Sequence, residues 1–349
     1  MLSGNIFEID LTGIKHNVEH IRNTYNNYEY YIGVVKANAY GCGYYKVIET
    51  MEKAGINFYA VGNINEALEV RKYSDKGIII LTPVFEEVIS TTIENNISVT
   101  VDSLEYLKSL ENASGLKIHI KINTGMNRFG TSSKEEIKKI IDYARENNII
   151  VEGIYTHLYY ASNNEIVNKQ MQIVSEVMEY IDYKSIPMIH IMNSEGLLTY
   201  NKFEYTNGIR VGDLLYGLTY DEAFRSVYRL KSKISKIRNV KKGDTVGYDA
   251  AYEVEDDQVI AVLPIGYECG IVKANKNRRV YVNDKEYNFV GNICMCNAFV
   301  KVDESVKRGD YVDIIRSSVD VMDIAEYLGT APSEVTCIID KNIEKSYIE

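Results

Sequence analysis

The sequence has no apolar stretch close to the roughly 20 residues that a membrane-spanning helix requires. Its first residues, MLSGNIFEIDLTGIKHN, also lack the basic segment and apolar run of a secretory signal. Positive charge is not in excess, because 39 Lys and Arg stand against 49 Asp and Glu, for a formal net charge of −10. Such a chain is not expected to bind nucleic acid phosphates or an anionic membrane surface. We therefore expect a cytoplasmic protein that acts on a small molecule.

Cysteine is scarce and scattered, and tryptophan is absent. The five cysteines are Cys42, Cys269, Cys294, Cys296 and Cys337. The pair around Met295 could be half of a metal site, but no second pair follows at a spacing typical of zinc ligands. We therefore expect buried thiols and no metal.

Short apolar runs alternate with amphipathic stretches from about residue 10 to residue 220. YYIGVVKA, FYAVG and GIIILT each precede a helical pattern, and the series continues through KIHIKIN, IIVEGIYTHL and PMIHIMN to GIRVGDLLYG. Apolar strands separated by helices indicate parallel strands buried on both faces, and about eight such units predict a closed (β/α)8 barrel. An open doubly wound sheet is the alternative, but no Gly-x-Gly-x-x-Gly loop follows the first strand.

The pattern changes after about residue 225. Runs such as QVIAVLPIGY, RRVYVNDKEYNFVG and GDYVDII are typical of strands joined by Gly, Asp and Asn turns. We predict an α/β barrel over residues 10–224 and a mostly β domain over residues 225–349, joined by an N-terminal strand over residues 1–9. A hydrophobic fraction of 46% in 349 residues is ample for both cores.

Lys36 is the first candidate for chemistry, because it follows the apolar run IGVV. Active sites of such barrels lie at the carboxyl ends of the strands. An amine that loses solvation there becomes a nucleophile toward an aldehyde. From position alone, a lysine that simply extends out of the barrel mouth is the more frequent case. The sequence around Lys36 reverses that preference.

The segment VVKANAYGCG closely resembles the lysine motif VVKANAYGHG of alanine racemases. Seven further segments resemble motifs of that family in the same order: KINTGMNRFG, GIYTHL, IMNSEG, NGIRVGDLLYG, VGYDAAY, LPIGYECG and GNICMCN. One match could be chance, but the whole ordered set is highly specific. The resemblance implies a pyridoxal 5'-phosphate-dependent amino-acid racemase, an isomerase, with alanine as the first substrate expected.

The resemblance implies two bases on opposite faces of the substrate. Lys36 would hold the cofactor as a Schiff base and act on the D-amino acid, and Tyr248, from the partner subunit, would act on the L-amino acid. A tyrosine needs neighbours that stabilise its phenolate, and the family's Arg–His–Tyr chain corresponds to Arg210, His157 and Tyr248. Arg210 would also face the pyridine nitrogen. Outside these motifs, Arg210 would be interpreted as a surface ion pair and His157 as a core histidine.

The resemblance also implies roles in binding. Arg128 would lie near the cofactor's phenolic oxygen and the substrate carboxylate, and Lys121, carbamylated in some family members, would hold that arginine. Tyr267 and the amide of Met295, the latter from the partner, would contact the substrate. Because Tyr248 and Met295 would cross into another subunit, a homodimer with shared active sites is expected. The residues implied for cofactor binding are Lys36, Tyr40, Arg128, His157, Asn193, Ser194, Arg210, Gly212, Asp213 and Lys341.

Departures from the family gather at the substrate end. A family tyrosine is replaced by Lys341, next to Asp340, and a lysine would not form the same wall. The other departures are Asn292 for arginine, Cys296 and Cys269 for aspartate, Cys42 for histidine and Asp213 for an apolar residue. Serine is therefore an alternative substrate, since a simple pocket rejects one added hydroxyl poorly. A basic amino acid is a more remote one, suggested by Asp213 and Asp340, unless these are simply solvated charges.

Other classes of protein fit the sequence less well than a racemase. An amino-acid decarboxylase of similar architecture would be longer and would lack the VKANAYG and ICM segments together. A non-catalytic pyridoxal-phosphate-binding protein would end before any β domain, whereas residues 225–349 follow the barrel here. A racemase that had become a regulator would be expected to lose Lys36, Tyr248 or Arg210, and all three are present. By resemblance, the D-product would serve a bacterial cell wall, as a peptidoglycan precursor.

Overall fold

The computed structural model describes residues 4–339 and 343–349. The chain forms two compact units. The first, which we call the barrel unit, contains residues 18–39 and 44–215. The second, which we call the sheet unit, contains the other described residues, including 40–43 and those from 216 onward.

The barrel unit is built on a closed barrel of parallel strands. Strand β1 (Asn5–Asp10) belongs to the sheet unit. The barrel strands are β2 (Tyr30–Val34), β3 (Phe58–Val61), β4 (Gly77–Ile80), β5 (Ile97–Val101), β6 (Lys117–Lys121), β7 (Ile150–Tyr155), β8 (Met188–His190) and β9 (Gly208–Val211). The barrel closes where β9 pairs with β2, with Ile209 opposite Tyr31. The predicted barrel is confirmed.

Helices precede or follow these strands, as the alternating pattern predicts. They are α1 (Leu11–Thr24), α2 (Tyr45–Ala54), α3 (Ile64–Arg71), α4 (Ile89–Glu94), α5 (Leu104–Ser109), α6 (Lys134–Glu146), α7 (Asn164–Tyr180) and α8 (Ser194–Thr199). Polar side chains fix several starts: Asn63, Ser103 and Ser133 each accept a hydrogen bond from the amide three residues later. These caps set where each helix leaves the loop that follows its strand.

The sheet unit contains a mixed sheet. Its strands besides β1 are β10 (Tyr228–Lys233), β11 (Lys236–Val240), β14 (Gln258–Leu263), β15 (Arg279–Val282), β16 (Lys285–Phe289), β17 (Ala298–Val302), β18 (Tyr311–Ile315) and β19 (Glu344–Ile348). They follow the order β11-β14-β17-β16-β15-β18-β10-β1-β19. Strands β12 (Thr245–Val246) and β13 (Tyr252–Glu253) form a separate pair, and the helices are α9 (Ser318–Leu328) and α10 (Pro332–Cys337). β1 is antiparallel to β10 and parallel to β19. The predicted mostly β character is confirmed.

The thiols are less buried than predicted. Cys42 and Cys269 are buried, but Cys296 is exposed and Cys294 and Cys337 are half-buried. The prediction of buried thiols is therefore wrong for these three; Cys294 and Cys296 lie in the irregular segment before β17, which does not pack as a strand. Within the described residues, no helix is long and apolar enough to cross a membrane, and no cluster of three or more His, Cys, Asp or Glu side chains could hold a metal ion.

Candidate active site at the barrel mouth

Lys36 lies just after β2, at the carboxyl end of the barrel, and begins an unusual turn. Residues 37–40, none of which is glycine, all have left-handed backbone angles, with φ between 52° and 57°. This conformation costs about 1–2 kcal/mol for each L-residue, so surrounding contacts must hold it. One is Glu66, whose carboxylate accepts hydrogen bonds from the amides of Ala37 and Gly62, both at 2.8 Å. Glu66 thus ties the turn after Lys36 to the loop that follows β3.

Arg210, on β9, is the buried cation of the site, with 4% of its surface exposed. Its Nη2 donates to the Thr156 carbonyl at 2.9 Å and to His157 Nδ1 at 3.1 Å. Burial lowers the pKa of Arg210 to about 10, which still leaves it charged at neutral pH. No carboxylate in the described part of the chain forms an ion pair with Arg210. The surface ion pair that would be expected of an arginine outside these motifs is therefore not found there.

His157, one residue after Thr156, is neutral. Burial, followed by the positive charges of Arg210, Lys121, Arg128 and Lys36, lowers its pKa to about 2. Because Nδ1 accepts from Arg210, the single ring proton lies on Nε2. His157 can therefore donate a hydrogen bond from Nε2 while its other nitrogen stays on Arg210.

Lys121 ends β6 and is buried, with its Nζ 4.3 Å from the centre of the Tyr155 ring. Burial, with the nearby charges of Arg210 and Arg128, lowers its pKa well below the usual value. The charged form of Lys121 is therefore less favoured than that of an exposed lysine. Arg128 is exposed on the loop that follows, and this loop folds back on β6 through the Thr131 amide and the Lys121 carbonyl.

The loops after β8 and β9 are joined by one hydrogen bond. The Gly212 amide donates to Ser194 Oγ at 3.0 Å. Asn193 accepts from the Gly196 amide at 2.9 Å, which caps α8, and donates to the Leu158 carbonyl at 3.0 Å. Two polar groups, one hydroxyl and one amide, thus lie side by side beyond the strand ends.

Asp213 and Tyr40 have different surroundings from each other. Burial raises the pKa of Asp213, although the charge of Lys36 opposes this. Tyr40 is grouped with the sheet unit, where its ring stacks on Tyr216 at 4.6 Å and its carbonyl accepts from the Tyr228 hydroxyl. Lys341, and with it Asp340, lies outside the described residues.

The candidate residues of the sheet unit are linked by the segment 292–297. Asn292 donates to the Tyr248 carbonyl at 3.3 Å, and the Tyr267 amide donates to the Cys294 carbonyl at 3.1 Å. Tyr248 and Met295 are exposed to 69% and 54%, and Tyr267 to 37%. Their side chains are therefore accessible on one chain.

Three polar residues that the sequence analysis did not select continue the network inside the barrel. Arg210 Nη1 donates to His190 Nδ1 at 3.0 Å, His190 Nε2 lies 2.9 Å from His119 Nδ1, and His119 Nε2 lies 3.2 Å from a Glu152 oxygen. Both histidines occur in the middle of apolar runs, KIHIK and PMIHI. That position is the signal that could have identified them.

The barrel unit therefore gathers Lys36, Lys121, Arg128, His157 and Arg210 at one end. The positive charges of four of them act on the fifth, His157. In a chain of net charge −10, such a concentration of cations favours an anionic ligand such as a phosphate or a carboxylate. The fold and this site define a two-domain barrel protein with a cationic barrel mouth and a lysine just after its first barrel strand.

Comparison with known proteins identifies the family. Residues 9–220 match the alanine racemase N-terminal domain, and residues 227–347 match the alanine racemase C-terminal domain. The chain belongs to the alanine racemase family.

Individual relatives are similar over nearly the full length. The chain is 31% identical to an alanine racemase of Listeria innocua over 98% of this chain and 97% of that one. Its fold matches the alanine racemase of Bacillus anthracis with bound L-Ala-P, with a TM-score of 0.93, 27% identity and coverage of 99% and 95%. It also matches an alanine racemase of Clostridium difficile 630, with a TM-score of 0.93, 30% identity and coverage of 99% and 96%.

Proposed function

We propose that this protein is a pyridoxal 5'-phosphate-dependent racemase that interconverts L- and D-alanine. The observation that carries the proposal is the placement of Lys36 at the mouth of the same barrel in which Arg210 holds a neutral His157. Similarity to alanine racemases over both units supports it. Supply of D-alanine for a bacterial cell wall is the corresponding role, and the cytoplasm the corresponding place.

The residues at the barrel mouth fit pyridoxal phosphate. Lys36 offers a primary amine for the aldehyde. The Ser194 hydroxyl accepts from the Gly212 amide at 3.0 Å, so its own proton is free to be donated to a phosphate oxygen. Asn193 caps α8 directly before Ser194 and so fixes the start of that helix. When bound, the cofactor supplies a ring and an imine over which the charge left by the α-proton can spread. Arg210 would face the ring nitrogen as a permanent cation and so disfavour its protonation.

Two bases would move the proton. The Lys36 amine would act on one face of the substrate, and the Tyr248 phenol, from the partner subunit, on the other. His157 would donate from Nε2 toward the phenol oxygen, because its Nδ1 is occupied by Arg210. A neutral donor backed by a buried cation stabilises a phenolate, which a tyrosine needs in order to act as a base near neutral pH.

Binding of the substrate carboxylate would use Arg128 together with Tyr267 and the amide of Met295. We propose that Lys121 carries a carbamate that holds Arg128, since the lowered pKa of Lys121 favours the neutral amine that adds carbon dioxide. Tyr248 and Met295 are exposed on a single chain, so a second copy could receive them. A homodimer with shared sites is part of the proposal.

Chiral chromatography tests the function directly. Purified protein with pyridoxal phosphate is incubated in deuterated water with L-alanine, L-serine, L-lysine or L-ornithine, and Lys36→Ala is the control. We expect α-deuterated D-alanine from the wild type and none from the control. Greater turnover of serine or of a basic amino acid would replace alanine as the substrate. Cofactor absorbance without turnover of any of the four would contradict the proposal and indicate a binding protein.

A further inference from the structure

A line of four hydrogen-bonded side chains leads from Arg210 into the barrel. It continues through His190 and His119, which are completely buried, to Glu152 on β7. Glu152 also contacts Ser98 and, at 3.2 Å, Lys117 Nζ. The line thus joins a buried cation to a carboxylate that is 18% exposed. The proposed reaction uses Arg210 but none of the other three.

Only one arrangement of protons satisfies this line. Arginine has donors only, so His190 Nδ1 must accept from Arg210. Burial lowers the pKa of His190 well below its usual value, so the ring is neutral and its proton lies on Nε2. His190 therefore donates to His119 Nδ1, which leaves the His119 proton on Nε2, directed at Glu152. Every bond in the line points from Arg210 toward Glu152.

Packing holds both imidazoles in this orientation. The His190 ring stacks on Tyr155, with ring centres 4.7 Å apart and planes 6° from parallel. The Tyr155 hydroxyl in turn bonds Thr100 at 2.7 Å. Gly153 faces His119 across β6 and β7, and a Cβ there would lie 2.3 Å from His119 Nδ1. The His190 and His119 rings are therefore held by packing contacts as well as by hydrogen bonds.

Glu152 supplies the negative charge that Arg210 otherwise lacks. Burial opposes ionisation of Glu152, but hydrogen bonds from His119 and Ser98, with the Lys117 ammonium nearby, hold its pKa below the usual value. A buried charge needs compensation, and hydrogen-bonded chains in a low dielectric polarise one another. The imidazoles of His190 and His119 connect the Arg210 cation to the Glu152 carboxylate through hydrogen bonds.

We propose that Glu152, His119 and His190 are positioning residues that balance and orient Arg210, and through Arg210 fix His157 with its proton on Nε2. The kinetic consequence rests on the proposed function, because it concerns the same site. The proton arrangement does not, and it can be measured without turnover.

Nitrogen NMR of protein labelled with ¹⁵N-histidine, with and without pyridoxal phosphate, tests the arrangement. Ring nitrogen shifts distinguish the two neutral forms from the charged form, and single His→Gln variants assign the five histidines. We expect His119, His157 and His190 to be neutral with the proton on Nε2. A proton on Nδ1 of His119 or His190, or a charged ring at His190, would overturn the proposal.

Glu152→Gln tests the charge, because glutamine keeps an acceptor for His119 and removes only the negative charge. We expect kcat for alanine to fall roughly tenfold with KM changed less than about twofold, the size typical of coupling through a buried network. The matched control is Lys117→Gln, which breaks the ion pair with Glu152 but not the line, and it should keep wild-type kcat. An unchanged kcat in Glu152→Gln, or an equal loss in both variants, would overturn the proposal.

The two measurements separate the possible failures. If thermal unfolding shows that Glu152→Gln does not fold, the nitrogen shifts of the wild type decide. If the wild type racemises no amino acid, the proposed function fails, while the proton arrangement stands or falls on the shifts alone.

Discussion

Asp213 has a carboxyl group at a position where the proposed function would place the cofactor phosphate. Its pKa is raised because burial disfavours the charged form. The folded protein therefore binds this proton more tightly than the unfolded chain does, so the carboxyl destabilises the fold at neutral pH and ceases to do so as the pH falls. A charged Asp213 would also repel a phosphate.

Asp213→Asn is expected to raise the melting temperature at pH 7. The gain should shrink as the pH falls and disappear below about pH 4, where the unfolded carboxyl is itself mostly protonated. Thermal unfolding at a series of pH values measures it, and Asp75→Asn, a change at an exposed carboxylate, is the control. A gain that is independent of pH would contradict the explanation. The same variant should bind pyridoxal phosphate more tightly at pH 8 than the wild type.

Single residues were predictable where a motif contains them and not elsewhere. Lys36, His157 and Arg210 follow apolar runs inside recognisable motifs, and the structure brings them to one end of one barrel. His119 and Glu152 have no motif, since their partners come from other strands. Their contact depends on strand register, which apolar periodicity does not specify to one residue.

At the scale of elements, the close packing of the His119 ring between β6 and β7 requires a glycine at position 153. A Cβ on Gly153 would lie 2.3 Å from His119 Nδ1 and 3.0 Å from the Met188 carbonyl, so the His119 ring would have to move. Such a displacement breaks the bond between His119 and His190.

Gly153→Ala is expected to destabilise the protein by about 1–3 kcal/mol, the range for overpacked cores. Urea unfolding measures this loss, and kcat should fall as well because Arg210 loses its support. Gly115→Ala is a suitable comparison: its φ of 83° strains an alanine, but no atom lies within 4 Å of the added Cβ. It should lose stability and keep kcat. Equal losses of kcat would contradict the special role of Gly153.

The barrel strands were predictable as elements, but the turn after Lys36 was not. The runs YYIGVVKA and KIHIKIN contain β2 and β6, and Lys36 and Lys121 lie near their C-terminal ends. The left-handed residues 37–40 include no glycine, so nothing local indicates their conformation. It is imposed by distant groups such as the Glu66 carboxylate.

At the scale of the molecule, the proposed shared site predicts complementation between two inactive variants. When Lys36→Ala and Tyr248→Phe are unfolded and refolded together in equal amounts, half of the dimers should be mixed. Each mixed dimer contains one complete site, so about one quarter of wild-type activity should return. Each variant refolded alone is the control. Activity no greater than the sum of the controls would mean that each site belongs to one chain.

The domain limits 10–224 and 225–349 stay a prediction. Packing groups residues from 216 onward with the sheet unit, and residues 40–43 as well. Sequence periodicity reports only on residues close together in the chain, whereas Tyr40 contacts Tyr216 and Tyr228, which are far from it in sequence. A local sequence pattern therefore cannot show that residues 40–43 belong to the sheet unit.

The position of β1 has a consequence for the time at which the protein can fold during synthesis. β1 leaves the ribosome before the other described strands, but it lies between β10 and β19, and β10 follows about 220 residues later. At about 5–20 residues per second, roughly 10–45 s pass before β1 meets its first partner. All barrel strands emerge in that interval. An interrupted translation product would therefore carry a complete set of barrel strands beside an unpaired β1, a strand edge open to aggregation.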